Sequence, residues 1–154
     1  KYPGGPEIEK NALKGNSSDI VFPRPMINSQ DFNFSFSGLK TATRLAYENN
    51  KLEPNIQANI ANSLQIAISE TLISKLHIAI ADTGAQHLVV SGGVSANKYI
   101  RKQLEQLPVD NISFPPMKYC TDNAAMVAYL GYLRRNNPPP EILAQARWRI
   151  DDIS

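Results

Sequence analysis

Cysteine is almost absent from this sequence of 154 residues, in which Cys120 is the single example. One cysteine cannot form an internal disulfide, and such a composition is typical of a reducing compartment, so we expect a cytoplasmic protein. A strong charge of one sign is missing as well, because the formal net charge is only +2. Overall charge therefore gives little support for nucleic-acid binding, and any phosphate-binding surface must be local.

Several signatures of enzymes and membrane proteins are also absent from the sequence. It contains neither the HExxH motif of zinc proteases nor the GxSxG motif of serine hydrolases. No uninterrupted apolar run approaches the ~20 residues of a membrane span, and no signal-peptide pattern is present, so we expect no membrane contact. His77 and His87 have no second ligand at metal-binding spacing. The chain opens with KYPGGPEIEK and no Met, which indicates part of a longer protein.

Apolar residues recur at every fourth position across residues 54–81. Because each step of four residues advances about 40° around a helix, this period predicts a core helix with a winding apolar stripe. Gly84 is predicted to end it. The apolar run at residues 86–91 predicts a buried parallel strand, and residues 111–114 predict a second strand. Each is followed by a helical pattern, which implies an α/β layer.

An alternation of aromatic and polar residues precedes the long helix. Phe32, Phe34 and Phe36 share one face of the predicted strand at residues 31–36. Together with residues 19–22, this strand predicts a small antiparallel hairpin.

Two glycine pairs stand before predicted helices, although the chain has only 8 glycines. Gly92-Gly93 follows Ser91 in the stretch LVVSGGVSAN, at the end of a predicted strand. In open α/β sheets ligands bind at the carboxyl ends of strands, where backbone N–H groups and the Asn97 amide could meet a phosphate or nucleoside. The alternative is close packing of helix on strand without any ligand.

The second pair, Gly4-Gly5, precedes Pro6 and a short helix that Gly15 is expected to close. This pair has the same two interpretations, a ligand-binding turn or a simple turn.

Asp122 follows the second predicted strand and also has two interpretations. Asp122 or Thr121 could cap the next helix, a contribution of ~1 kcal/mol. Alternatively, the Asp122 carboxylate could point into a cleft and bind a metal ion or line a phosphate site. Cys120, with no histidine nearby in sequence, is expected to be a buried, inert thiol.

Five segments occur in order along the chain: YPGGPEIEK, FPRP, DFNFSFSGLKT, SGGVSAN and CTDNAAM. In this combination the sequence resembles the carboxyl-terminal half of the TsaD/Gcp family, in its bacterial or organellar branch. These are tRNA N6-adenosine threonylcarbamoyltransferases, formerly called O-sialoglycoprotein endopeptidases. The resemblance implies an α/β fold, the helix-rich carboxyl-terminal lobe of the actin/sugar-kinase/heat-shock-chaperone (ASKHA) fold with a small sheet. Residues 1–154 would form this half, ending in a proline-led tail at residues 138–154.

The activity implied by the resemblance is acyl transfer to tRNA. The complete protein would transfer threonylcarbamoyl from its adenylate to N6 of the adenosine 3′ of the anticodon. One divalent metal ion, iron or zinc, would assist, and the partners would be tRNA and proteins similar to TsaB and TsaE. The family's amino-terminal half, with its paired metal histidines, is missing, so we expect the isolated chain to be inactive and to self-associate.

Site residues are also implied by the resemblance. The substrate-binding and nucleotide-binding residues would be Gly5, Glu9, Ser91, Gly92, Gly93 and Asn97. Gly5 and Asn97 would contact the adenylate, with Glu9 near its ribose. Asp122 would be the metal ligand from this half, and no separate catalytic residue is assigned. The alternatives are a noncatalytic nucleotide-binding or scaffold domain and a metalloendopeptidase, although the sequence contains no protease constellation.

Overall fold

The computed structural model of the protein describes residues 3–17 and 20–136. The described elements are, in chain order, α1 (Gly4–Ala12), α2 (Leu39–Asn50), α3 (Ile56–Thr83), β1 (His87–Val89), a 3₁₀ turn (Gly93–Ala96), α4 (Lys98–Leu104), β2 (Asn111–Ser113), a second 3₁₀ turn (Met117–Tyr119) and α5 (Ala124–Leu133). The chain divides into two compact units, residues 1–121 and 122–154. The predicted tail at residues 138–154 lies outside the described residues.

Helix α3 is the central element of the first unit and packs against α1, α2 and α4. Its bounds lie within two residues of the prediction, and Gly84 ends it in a left-handed conformation with φ 65°. Glycine adopts this conformation without the steric cost of a Cβ atom. Ile56 and Ile60 are buried in a cluster with Phe22 and Leu39. The prediction of a core helix is confirmed.

By length and composition alone, α3 would also qualify as a membrane-spanning helix, since an 18-residue window has a mean hydropathy of 1.3. This window contains polar residues, so the lack of an uninterrupted apolar run in the sequence did not reveal it. However, α3 buries Gln65, Thr71 and Lys75 within the protein, and it contacts three other helices. These contacts favour the interpretation of α3 as a core helix.

Strands β1 and β2 pair in parallel, with Leu88 opposite Ile112. Both of these residues pack on a second apolar cluster, whose buried members are Ile100, Leu104 and Leu107. Helix α4 connects the two strands in sequence, as the order of elements predicts. The described residues thus form a helix-rich α/β structure with a small parallel sheet.

The prediction of a buried strand is wrong for β1 as a whole, because Leu88 and Val90 are only half-buried and Val89 is 75% exposed. Leu88 and Val90 pack on the second apolar cluster, whereas Val89 belongs to the opposite face of β1 because side chains alternate along a strand. A continuously apolar strand normally has cover on both faces. Within the described residues, other side chains cover only one face of β1.

The predicted hairpin is also wrong, since residues 20–22 and 31–36 form no strand. The Asp31 carboxylate accepts a hydrogen bond from the Asn33 backbone N–H at 3.2 Å. Lys75 Nζ donates to the carbonyl oxygens of Ser29 and Asp31 at 2.7 and 3.1 Å. Side chains therefore satisfy backbone groups that a strand ladder would otherwise pair.

Helix α1 begins at Gly4, so the first glycine pair lies inside its first turn rather than in a turn before it. Gly15 was expected to end this helix. Instead, it allows the chain to pack closely against α3. A Cβ atom at Gly15 would overlap the backbone of Ala58 on α3.

An apolar groove of about 980 Å³ lies within the first unit, beside α3. Its lining includes Phe32, Phe34, Leu72, Leu76, Val89 and Val94. Phe32, Phe34 and Val94 are more than half exposed. The groove is therefore an apolar surface that faces solvent.

Candidate nucleotide-binding site

Helices α1 and α4 are joined at the start of α4. Glu9 Oε1 accepts a hydrogen bond from the Lys98 backbone N–H at 2.8 Å. The first N–H groups of a helix have no partner within it, and a carboxylate there also suits the positive end of the helix dipole. The Glu9 side chain thus fixes α1 against the segment that follows the second glycine pair.

Asn97 is the N-cap of α4, and its side chain makes two hydrogen bonds within the protein. Its Oδ1 accepts from the Ile100 N–H at 2.9 Å, and its Nδ2 donates to Gln65 Oε1 at 2.8 Å. Gln65 is only 5% exposed, and sequence reasoning missed its contribution. The available signal was a glutamine between Leu64 and Ile66 in an otherwise apolar stretch of α3.

These caps change the predicted role of the helix start. The N–H groups of Lys98 and Ile100 already donate to protein oxygens. They are therefore not available for a phosphate, contrary to the expectation of bare N–H groups at this position. The preceding loop is therefore the better candidate for ligand contact.

The loop at residues 91–97, here called the glycine loop, begins with exposed residues Ser91, Gly92 and Gly93. Gly92 has φ 87°, a conformation that strongly favours glycine. Ser95, which is 2% exposed, donates its hydroxyl to the Gly92 carbonyl at 2.7 Å. This bond holds the 3₁₀ turn that follows β1.

Gly93 differs from Gly92, since its φ is not in the left-handed region. A Cβ atom at Gly93 would lie 4.0 Å from Thr121 Cγ2, which is ordinary van der Waals contact. A Cβ atom at Gly5 would meet no heavy atom within 4 Å. Neither backbone conformation nor packing among the described residues requires glycine at these two positions, so the interpretation of close helix–strand packing is not supported for Gly93.

Asp122 begins the second unit and is exposed. The N-cap of α5 is Asn123, whose Oδ1 accepts from the Met126 N–H at 3.0 Å. The expectation that Thr121 or Asp122 caps this helix is therefore wrong. Helix capping does not explain an aspartate at position 122.

The described residues do not form a complete metal site. Across residues 3–17 and 20–136, no group of three or more histidine, cysteine, aspartate or glutamate side chains is placed to hold a metal ion. Asp122 would supply one ligand, whereas a catalytic metal such as zinc usually has three from protein. His77 and His87 are both exposed, and His87 Nδ1 lies 3.3 Å from Asn111 Nδ2.

Comparison with known proteins identifies the family. Residues 1–129 match the TsaD family, described as tRNA N6-adenosine threonylcarbamoyltransferase. The chain belongs to the TsaD family.

Curated relatives carry the same description. Proteins named tRNA N6-adenosine threonylcarbamoyltransferase from Buchnera aphidicola (subspecies Acyrthosiphon pisum, strain Tuc7) and Rickettsia massiliae (strain Mtu5) are each 42% identical to this chain, over 160 and 167 residues. Both alignments cover 99% of this chain and 48% of the relative. The chain spans about half the length of the curated relatives it matches.

In this TsaD chain, several residues singled out by motif lie close together. Gly5 lies one helical turn before Glu9 on α1, and Glu9 contacts the backbone of Lys98, next to Asn97. Gly92 and Gly93 belong to the same loop as Asn97. Asp122 belongs to the second unit.

Proposed function

We propose that the chain is the carboxyl-terminal part of a tRNA threonylcarbamoyladenosine synthase, an acyltransferase built on the ASKHA fold. The complete enzyme transfers threonylcarbamoyl from its adenylate to N6 of the adenosine 3′ of the tRNA anticodon. The glycine loop carries this proposal: Gly93 is exposed, and neither conformation nor packing in the described chain requires a glycine there. A nucleotide that closely approaches the backbone would account for it.

The adenylate contacts the glycine loop and α1 in this proposal. Ser91, Gly92 and Gly93 line the nucleotide pocket, and Gly5 gives the adenylate access to the backbone of α1. Asn97 uses one N–H and one acceptor position within the protein, so a second N–H and a second lone pair remain for the nucleotide. Glu9 commits Oε1 to Lys98 and can accept from a ribose hydroxyl through Oε2.

Asp122 is proposed as one ligand of a divalent ion, iron or zinc. The remaining ligands would come from outside the described residues, which contain no three-ligand group. In this proposal the described part of the chain by itself does not hold the ion.

The proposed partners of the complete protein are tRNA and proteins similar to TsaB and TsaE, in the cytoplasm. Contacts with tRNA phosphates would weaken as the salt concentration rises. For the 154-residue chain by itself, we propose self-association through the exposed apolar groove beside α3.

A noncatalytic nucleotide-binding or scaffold domain is the second candidate, and it is consistent with the lack of a three-ligand group among residues 3–17 and 20–136. The two candidates differ in what the complete protein does with tRNA. An assay that supplies the complete protein with adenylate and tRNA, followed by chromatography of the tRNA nucleosides, separates them.

The matched variants for this assay are Asp122→Asn and Asp110→Asn, both at exposed aspartates. The proposal expects modified tRNA from the wild type and Asp110→Asn, and little or none from Asp122→Asn. Adenylate binding without any modified tRNA in the wild type would favour the scaffold instead.

A further inference from the structure

We infer that Arg101 is a positioning residue that holds the glycine loop against the loop that follows β2. The second loop, residues 114–121, is here called the cysteine loop because it contains Cys120. The inference rests on the proposed function, since it assigns Arg101 the task of placing the loop that receives the nucleotide.

The guanidinium of Arg101 donates to both loops at once. Its Nε donates to the carbonyl oxygen of Ser95 in the glycine loop. Its Nη2 donates to the Pro115 carbonyl oxygen at 2.9 Å and to Cys120 Sγ at 3.1 Å in the cysteine loop. One side chain on α4 therefore connects the loops at the carboxyl ends of β1 and β2.

One further contact fixes the guanidinium, and a second observation places the two loops side by side. The Arg101 Cζ lies 4.6 Å from the centroid of the Phe114 ring, a favourable cation–π distance. A Cβ atom at Gly93 would lie 4.0 Å from Thr121 Cγ2. The position of Gly93 is thus set next to the cysteine loop that Arg101 binds.

A lysine could not replace these contacts. Guanidinium is a planar group with five donors in a rigid fork, whereas an ammonium is a compact charge on a flexible stem. The Arg101 donors point to Ser95 on one side and to Pro115 and Cys120 on the other. The connection between the two loops therefore depends on the planar, forked shape of the guanidinium as well as on its charge.

The functional consequence is control of the geometry of the glycine loop. A shift of about 1 Å in a positioned group can lower the rate ~100-fold. Asp122 follows Cys120 by two residues in the sequence, so the cysteine loop leads directly to the proposed metal ligand.

Cys120 provides a direct reporter, because it is the single cysteine of the chain and is 3% exposed. The experiment measures the rate at which iodoacetamide labels Cys120 in the folded 154-residue chain. The variants are Arg101→Lys and Arg101→Met, with Lys102→Met as the matched control at an exposed neighbour on α4. Circular dichroism and melting temperature establish that each labelled sample is folded.

Cys120 in both Arg101 variants should be labelled at least about tenfold faster than in the wild type and Lys102→Met. Without the guanidinium contacts the cysteine loop opens more often, which exposes the thiol. Amide NMR signals of Gly92, Gly93 and Ser95 should shift in the Arg101 variants, whereas signals of α3 should not. If Arg101→Met fails to fold, Arg101→Lys decides. Wild-type labelling rates and unshifted glycine-loop signals in a folded Arg101 variant would overturn the inference.

Steady-state kinetics of the complete protein separate positioning from general stability. Arg101→Lys should raise the KM for the adenylate about tenfold while the KM for tRNA stays unchanged. Unchanged adenylate KM and kcat in Arg101→Lys would overturn the positioning role. A wild type that modifies no tRNA would overturn the proposed function instead, and the labelling and NMR results would still decide whether Arg101 holds the two loops.

Discussion

Glu9 and Lys98 are 89 residues apart in the chain and are joined by a 2.8 Å hydrogen bond from the Lys98 backbone N–H to Glu9 Oε1. The bond places the helix of the first glycine pair beside the helix that follows the second pair. Two motifs that lie far apart in the sequence therefore meet at the start of α4.

Replacement of Glu9 tests this connection. Glu9→Ala should lower the free energy of unfolding by about 1 kcal/mol, the usual contribution of a helix cap. Glu9→Gln should cost clearly less, because an amide oxygen still accepts from Lys98. Urea denaturation measures both, with Glu53→Ala at an exposed position as the control. Equal losses in Glu9→Ala and Glu9→Gln would contradict the account.

Local signals in the sequence were sufficient to predict the long helix but not its surroundings. The apolar period and Gly84 predict α3 because both act within a few residues. The hairpin prediction failed because Lys75 binds Asp31 from 44 residues away, and no local pattern reveals such a partner. The exposure of Val89 likewise depends on what covers β1, which its own sequence does not determine.

The candidate site was likewise predictable from the sequence only in part. Residue type and motif indicated Glu9 and Asn97, but not that they cap α4 or that Gln65 binds Asn97 from 32 residues away. Thr121, Asp122 and Asn123 are adjacent and are all good capping residues. The sequence could not distinguish them, whereas the structure selects Asn123.

The Asp31 carboxyl should titrate well below its ordinary range. Hydrogen bonds from Asn33 and Ser29, and then from Lys75, lower the pKa of Asp31 from 3.8 to about 2. NMR titration of the Asp31 carboxyl measures this value directly. Asn33→Ala should raise the pKa toward 3.8, and Asp110→Asn should leave it unchanged.

The lowered pKa of Asp31 also determines the direction of the pH dependence of stability. Folding favours the ionised carboxylate of Asp31. Its contribution to the free energy of unfolding is therefore fully present above about pH 4 and is lost as the pH falls toward about 2. Asp31→Asn should remove this part of the pH dependence. An identical acid dependence in the wild type and Asp31→Asn would contradict the prediction.

The 154-residue chain by itself should neither retain a metal ion nor modify tRNA. One exposed carboxylate, Asp122, cannot hold a transition metal that usually needs three protein ligands. The measurement is metal content after extensive dialysis, with the tRNA modification assay on the same sample. Stoichiometric metal, or any turnover, would mean that the active site has been misplaced.

Self-association of the 154-residue chain should depend on the apolar groove. Val89→Lys places a charge in the groove and should shift the chain toward monomer, because burying an unpaired charge is costly. Val21→Lys is the matched control, since Val21 is 83% exposed and outside the groove lining. Light scattering coupled to size-exclusion chromatography measures the mass. A monomeric wild type, or equal shifts in both variants, would contradict this prediction.

The proposed role of the glycine loop is tested most directly by Gly93→Val in the complete protein. A Cβ atom at Gly93 would meet Thr121 Cγ2 at 4.0 Å, so the fold should tolerate the substitution while the side chain occupies the space of the nucleotide. Gly131→Ala on α5 is the control, because a Cβ atom there meets nothing within 4 Å. The measurement is calorimetric titration with the adenylate or a stable analogue. The account predicts normal binding by the wild type and Gly131→Ala and no measurable binding by a folded Gly93→Val protein, whereas unchanged affinity in Gly93→Val would contradict it.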